Sequence, residues 1–227
     1  MFRIRSLLAL LTSGALAAVI LGVAQPAIAL SSGVTPTADI QPTDFVSTWD
    51  TRKTGGDLAT GSKQIWLPVT SENDPDFVVD WGDGTGSHIT SYSVADLTHT
   101  YAVAGVYTIV ISGYVPGWMF NNAGDREKIL NISQWGNLRF GNSARQFSGC
   151  SNLTITATDS PDLSGTRVLE NVFKNAPKVN ADLSGWDTSS IVSMQGAFEG
   201  ATSFNGDIST WDTSGVTHFM SMFEIGR

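Results

Sequence analysis

Apolar and polar positions divide the chain into regions of different rhythm. Residues 7–23 form one long apolar run behind Arg3 and Arg5, and Ala27-Ile28-Ala29 follows it. A charged start, an apolar middle and a small-x-small site in that order predict an export signal over residues 1–29, cleaved after Ala29. Gly14, Gly22 and Pro26 argue against a stable spanning helix, and no later segment is long and apolar enough to cross a bilayer. Residues 30–43 are small, polar and proline-containing, the composition of a flexible linker. Short alternating runs then appear at residues 45–49, 64–69, 77–81 and 106–111, separated by Gly55-Gly56, Asn73-Asp74-Pro75 and Asp83-Gly84. Strands at that spacing without helical periodicity predict a small antiparallel β-sandwich over 44–113.

The rhythm changes again beyond residue 129, where the chain repeats itself. Leu183-Ser184-Gly185-Trp186-Asp187-Thr188-Ser189 returns 25 residues later as Ile208-Ser209-Thr210-Trp211-Asp212-Thr213-Ser214. The same offset relates Met194 to Phe219, Phe198 to Phe223, and Phe173 to Phe198; a step of 26 takes Phe173 back to Phe147 and Ala176 back to Cys150. Four units therefore begin near Trp135, Pro161, Trp186 and Trp211. Within a unit, Ile191, Met194 and Phe198 stand at i, i+3 and i+7, the spacing of one helix face, with Thr188 or Ser189 as its N-cap. Segments 153–157, 179–183 and 204–208 suit a short strand and turn. A strand and a short helix per 25 residues predict a leucine-rich-type α/β solenoid, closed by stacking apolar stripes. The expected fold is thus mixed: a sandwich over 44–113, then a capping segment and about four repeats over 114–227. The array stops mid-unit, which predicts a fragment or further units beyond.

Two sets of residues carry family resemblances. Asp80-Trp81-Gly82-Asp83-Gly84-Thr85, followed by His99-Thr100-Tyr101 and Ala104-Gly105-Val106-Tyr107-Thr108, resembles the PKD domain, which is immunoglobulin-like and common in surface proteins. The segment from Trp186 to Ser209 resembles the BspA-like leucine-rich repeat, also called DUF285 or the mycoplasma-lipoprotein repeat. Phe147-Ser148-Gly149-Cys150-Ser151-Asn152-Leu153 looks like its F-x-x-C-x-x-L form. Pro161 in place of tryptophan and Phe219 in place of methionine depart from the pattern. The second resemblance implies a secreted or cell-surface protein engaged in adhesion or recognition, with no common catalytic residues to carry over.

Charge narrows the partners. The formal net charge is −8, and removal of Arg3 and Arg5 with the leader takes it to −10. That balance argues against nucleic acid, whose phosphates require Lys and Arg. Cys150 is the only cysteine, so no disulfide forms within the chain. Its alignment with Ala176 and Ala201 predicts a small buried slot.

The search for chemistry returns little. His88, His99 and His218 stand apart with no zinc spacing. In the Asp80–Thr85 stretch, Val79 and Trp81 fall where a calcium loop needs oxygen ligands, and its glycines fit no phosphate loop. Asp182 and Asp207 align one unit apart, but a ladder of turn-capping carboxylates explains them better than a glycosidase pair. No catalytic, cofactor-binding or metal residue is assigned, and no enzyme activity is expected. The expected partner is an extracellular protein or glycan bound at the repeat face. The alternative is an accessory module presenting carbohydrate to an exported hydrolase, which a surface row of tryptophans would favour.

Overall fold

The computed structural model describes residues 39–224. The leader and most of the linker lie outside the described residues. Among the described residues eight strands form: β1 (Phe45–Asp50), β2 (Gln64–Trp66), β3 (Asp76–Asp80), β4 (Gly86–Ile89), β5 (Thr98–Thr100), β6 (Val106–Tyr114), β7 (Ile129–Gln134) and β8 (Thr154–Ile155). Six of them make one mixed sheet in the order β4-β3-β6-β1-β7-β8, and β2 pairs with β5 in a separate ribbon. The β1–β6, β1–β7, β3–β4 and β3–β6 pairs are antiparallel, whereas β7–β8 is parallel. Strand β1 sits inside the sheet, and five of its six residues are buried. A strand covered on both sides reads as a near-continuous apolar run, as Phe45, Val46 and Trp49 do.

This architecture corrects the expected one. The fold is nearly all β, without the predicted pairing of a separate antiparallel sandwich and an α/β solenoid. The main sheet draws on both halves of the chain, because β1 offers its free edge to β7, from the beginning of the repeat region. Of the predicted repeat strands only Thr154–Ile155 forms; segments 179–183 and 204–208 carry no regular secondary structure. The only helical element among the described residues is a short 3-10 turn at Gly124–Glu127.

The reason the helices do not form is written in the backbone. Arg145 and Gly149, Asn171 and Asn175, and Gly196 and Gly200 all adopt positive φ, between 54° and 79°, and Ser221 continues the series at 56°. Two left-handed residues four apart are incompatible with a right-handed helix between them. Each such segment instead gives its amides to the next. Asn171, Phe173 and Asn175 donate to the carbonyls of Gln195, Ala197 and Glu199 at 2.7–2.8 Å, and Gly196, Phe198 and Gly200 donate to Met220, Met222 and Glu224 at 2.8–2.9 Å. These bonds satisfy main-chain groups that burial would otherwise orphan.

Apolar side chains fill the space enclosed. The buried rings of Phe147, Phe173 and Phe198 stand in a row with successive centroids 5.8 Å apart, and Phe223, which is exposed, continues the row 5.4 Å beyond Phe198. Trp135 joins this row to the sheet through Phe147 at 5.7 Å and Phe45 at 6.4 Å. One continuous apolar cluster therefore runs from Phe45 to Met222.

Candidate functional site

The repeated backbone generates rows of side chains. Just before each left-handed residue, in matching register, stand Ala144, Glu170, Gln195 and Met220; four positions on stand Ser148, Lys174, Glu199 and Glu224. Between these rows Gln146, Val172, Ala197 and Met222 point inward and are buried. The left-handed residues and the main-chain bonds between units recur, while Glu170, Gln195 and Met220, and Lys174, Glu199 and Glu224, differ from unit to unit; Ser148, at the start of the second row, is buried. Local pairs order this face: Lys174 meets Glu199 at 2.7 Å, and the Ser193 hydroxyl donates to Glu170 at 2.6 Å. At its start, Arg139 pairs with Asp162 at 2.9 Å and lies 5.3 Å from the Tyr114 ring.

A second set of rows consists of carboxylates. Asp162, Asp182, Asp187, Asp207 and Asp212 each accept the main-chain amide of the serine two residues on, at 2.8–3.1 Å. This is the Asx turn, in which a short acidic side chain takes the place of a backbone acceptor. The hydroxyl of Ser189 and then its amide hold the Asp187 carboxyl below its ordinary range. Asp182 and Asp207 thus both spend an oxygen on their own turns. Asp159, which shares a shallow groove with Asp182, accepts the amides of Trp135 and Gly136 at 2.8–3.0 Å. Trp186 and Trp211 are 4% and 8% exposed and stack at 6.0 Å. They form no open platform.

The two landmarks of the sheet region come together. His99 lies flat on Trp81, its Nε2 is 2.8 Å from Asp83 Oδ2, and its ring meets Tyr101 edge-on at 4.5 Å. Tyr101 donates its hydroxyl to the Trp81 carbonyl at 3.0 Å and stacks on Tyr107. Burial works against the charge of Asp83, yet the Thr85 hydroxyl and His99 outweigh it and keep its carboxyl low. His88 pairs separately with Asp76 at 2.7 Å.

One ion pair escaped sequence reasoning altogether. Asp125 and Lys128 have wholly buried side chains 3.1 Å apart. Asp125 accepts the amides of Thr60 and Trp66 and the Thr60 hydroxyl, while Lys128 donates to the carbonyls of Thr60, Gly61 and Gln64. The pair ties the β2 segment to the entrance of β7. Burial pushes the Lys128 ammonium down, and Asp125 pulls it back. The spacing i, i+3 hints at a pair, but only the fold brings residues 60–66 around it.

Cys150 is buried, and desolvation raises its thiol well above the usual range. Among the described residues, no group of three or more His, Cys, Asp or Glu side chains is placed to hold a metal ion. No helix among them is long and apolar enough to cross a membrane.

Residues 141–226 match the family described as Mycoplasma protein of unknown function, DUF285. The match begins just before the first left-handed pair and takes in all the aligned phenylalanines. The DUF285 region therefore coincides with the repeated backbone, and the sheet strands β1 to β7 precede it. No curated protein and no solved structure matches the chain.

Proposed function

We propose that this chain is an exported surface protein that recognises an extracellular protein or glycan through the outer rows of its DUF285 region, without catalysis. The observation that carries the reading is a fixed backbone bearing variable side chains. Ala144, Glu170, Gln195 and Met220 occupy one register, and Lys174, Glu199 and Glu224 another. Repeat proteins use such surfaces to vary what they bind without disturbing what holds them together. The leader-like residues 1–29 and the strongly acidic mature chain support export and argue against a nucleic-acid partner. In the finer form of this proposal, the stretch from Asp80 to Thr108 is PKD-like. The contacts among Trp81, Asp83, His99 and Tyr101 support it. The carbohydrate-presenting alternative loses ground because Trp186 and Trp211 face inward.

The test is a binding screen of the mature chain against glycans and extracellular-matrix proteins, repeated with Glu170→Lys/Gln195→Lys. A hit that the double variant loses while its circular dichroism is unchanged supports the reading. Turnover of a glycoside that disappears in Asp182→Asn or Asp207→Asn contradicts it.

A further inference from the structure

Asn205-Gly206 is the one Asn-Gly pair in the sequence. Asparagine is a heat-labile residue, and how labile it is depends on its successor. The main-chain nitrogen that follows an asparagine can attack its side-chain carbonyl carbon, and a side chain on the successor obstructs that approach. Glycine has none. The repeat register sets Asn205-Gly206 against Asn180-Ala181, so the same position of the unit occurs with and without a Cβ on the successor.

Both asparagines are exposed, but they are held differently. The Asn180 side-chain oxygen accepts the Asn205 amide at 2.8 Å, which ties Asn180 to the next unit. Among the described residues the Asn205 side chain makes no hydrogen bond, and neither does the Gly206 amide. Residues 204–208 carry no regular secondary structure, so no ladder bond has to break before the Gly206 nitrogen turns toward Asn205. Glycine is also required here. A Cβ at position 206 would collide with the Ala181 carbonyl, so packing between units imposes the residue that makes Asn205 labile. The related Asp83-Gly84 pair is tied down, because the Asp83 carboxylate accepts from Thr85 and pairs with His99.

We propose that Asn205 is a site of spontaneous deamidation in the folded chain. The Gly206 nitrogen gives its proton to hydroxide and attacks Asn205 Cγ. The new N–Cγ bond closes a succinimide ring, and the Cγ–Nδ2 bond breaks as ammonia leaves with a proton from water. Water then opens the ring at Cγ to give aspartate, or at the α-carbonyl to give isoaspartate. Either product adds a negative charge two residues from Asp207. Isoaspartate also adds a carbon to the main chain at a sensitive place. That carbon falls between the Asn205 amide, bonded to Asn180, and the Asp207 carbonyl, which accepts the Leu183 amide at 2.9 Å. The two units lose their register at that bond.

The purified chain is aged at mildly alkaline pH. Peptide mapping with fragment-ion assignment, labelling by isoaspartyl methyltransferase and hydrogen exchange at the Leu183 amide are then read together. A mass gain of one unit is expected at Asn205, several-fold faster than at Asn180 and faster as pH rises. Asn205→Gln lengthens the side chain beyond easy ring closure and breaks no side-chain bond, so it keeps the fold and loses most of the labelling. In the isoaspartate fraction the Leu183 amide exchanges several-fold faster than in fresh protein. The proposal is overturned if Asn180 reacts as fast as Asn205, or if the gain at Asn205 appears only in urea. It is equally overturned by undiminished labelling in Asn205→Gln, or by an isoaspartate fraction in which Leu183 exchanges as slowly as before.

Discussion

At the scale of single residues, charge is used sparingly and placed with care. The Asp125–Lys128 pair is wholly buried, yet each member reaches the 60–66 segment by several further bonds. Replacing one partner of such a pair leaves the other charged and alone, at a cost of about 3–5 kcal/mol. Lys128→Met is therefore expected to lower the urea midpoint sharply, whereas Arg52→Met, which breaks the half-exposed pair with Asp50, moves it little. Asp83 adds a dependence on acid. Its carboxyl is held below the unfolded value, so its stabilisation is fully present above that value and is lost as pH falls through the folded one. Thermal stability is expected to fall below about pH 4, and to fall less steeply in Asp83→Asn, which starts from a lower plateau. An acid limb of equal slope in both proteins would contradict this.

At the scale of elements, the sequence was legible where burial alone decides and misleading where backbone conformation decides. The runs at 45–49, 64–69, 77–81 and 106–111 correspond to β1, β2, β3 and β6. Strand β4, Gly86–Ile89, was missed because only Ile89 in it is buried, and β5 because His99 and Thr100 read as a landmark without alternation. The 25-residue register and its phenylalanines also came through. The helices did not, because i, i+3, i+7 spacing places side chains inward in a turn-built segment as readily as in a helix. The overlooked signal was the spacing of Asn171 with Asn175 and of Gly196 with Gly200. These are the residue types that tolerate positive φ. A test follows at that level. At Gly196, a Cβ would add left-handed strain and meet the Asn171 side-chain oxygen. Gly196→Ala is expected to destabilise by about 1–2 kcal/mol or more, although the same change in a helix would stabilise. Denaturant titration decides between the two signs.

At the scale of the whole molecule, the sheet and the repeats share one interior. Strand β7 pairs with β1 across some 80 residues of chain, and Trp135 touches both Phe45 and Phe147. A continuous core of this kind predicts a single unfolding transition, with tryptophan fluorescence and far-ultraviolet dichroism coinciding. Two separated transitions would mean that the halves are independent. The acidic balance and the unequal outer rows belong to this scale too, since the proposed recognition depends on units being held in fixed register.

That register rests on main-chain bonds between residues about 24 apart, and through-hydrogen-bond NMR couplings observe such bonds directly. The structure predicts couplings from the amide nitrogens of Asn171, Phe173 and Asn175 to the carbonyl carbons of Gln195, Ala197 and Glu199, and from Phe198 to Met222. Couplings from residues 198–201 to carbonyls four residues earlier in the chain would instead reveal a helix and contradict the account.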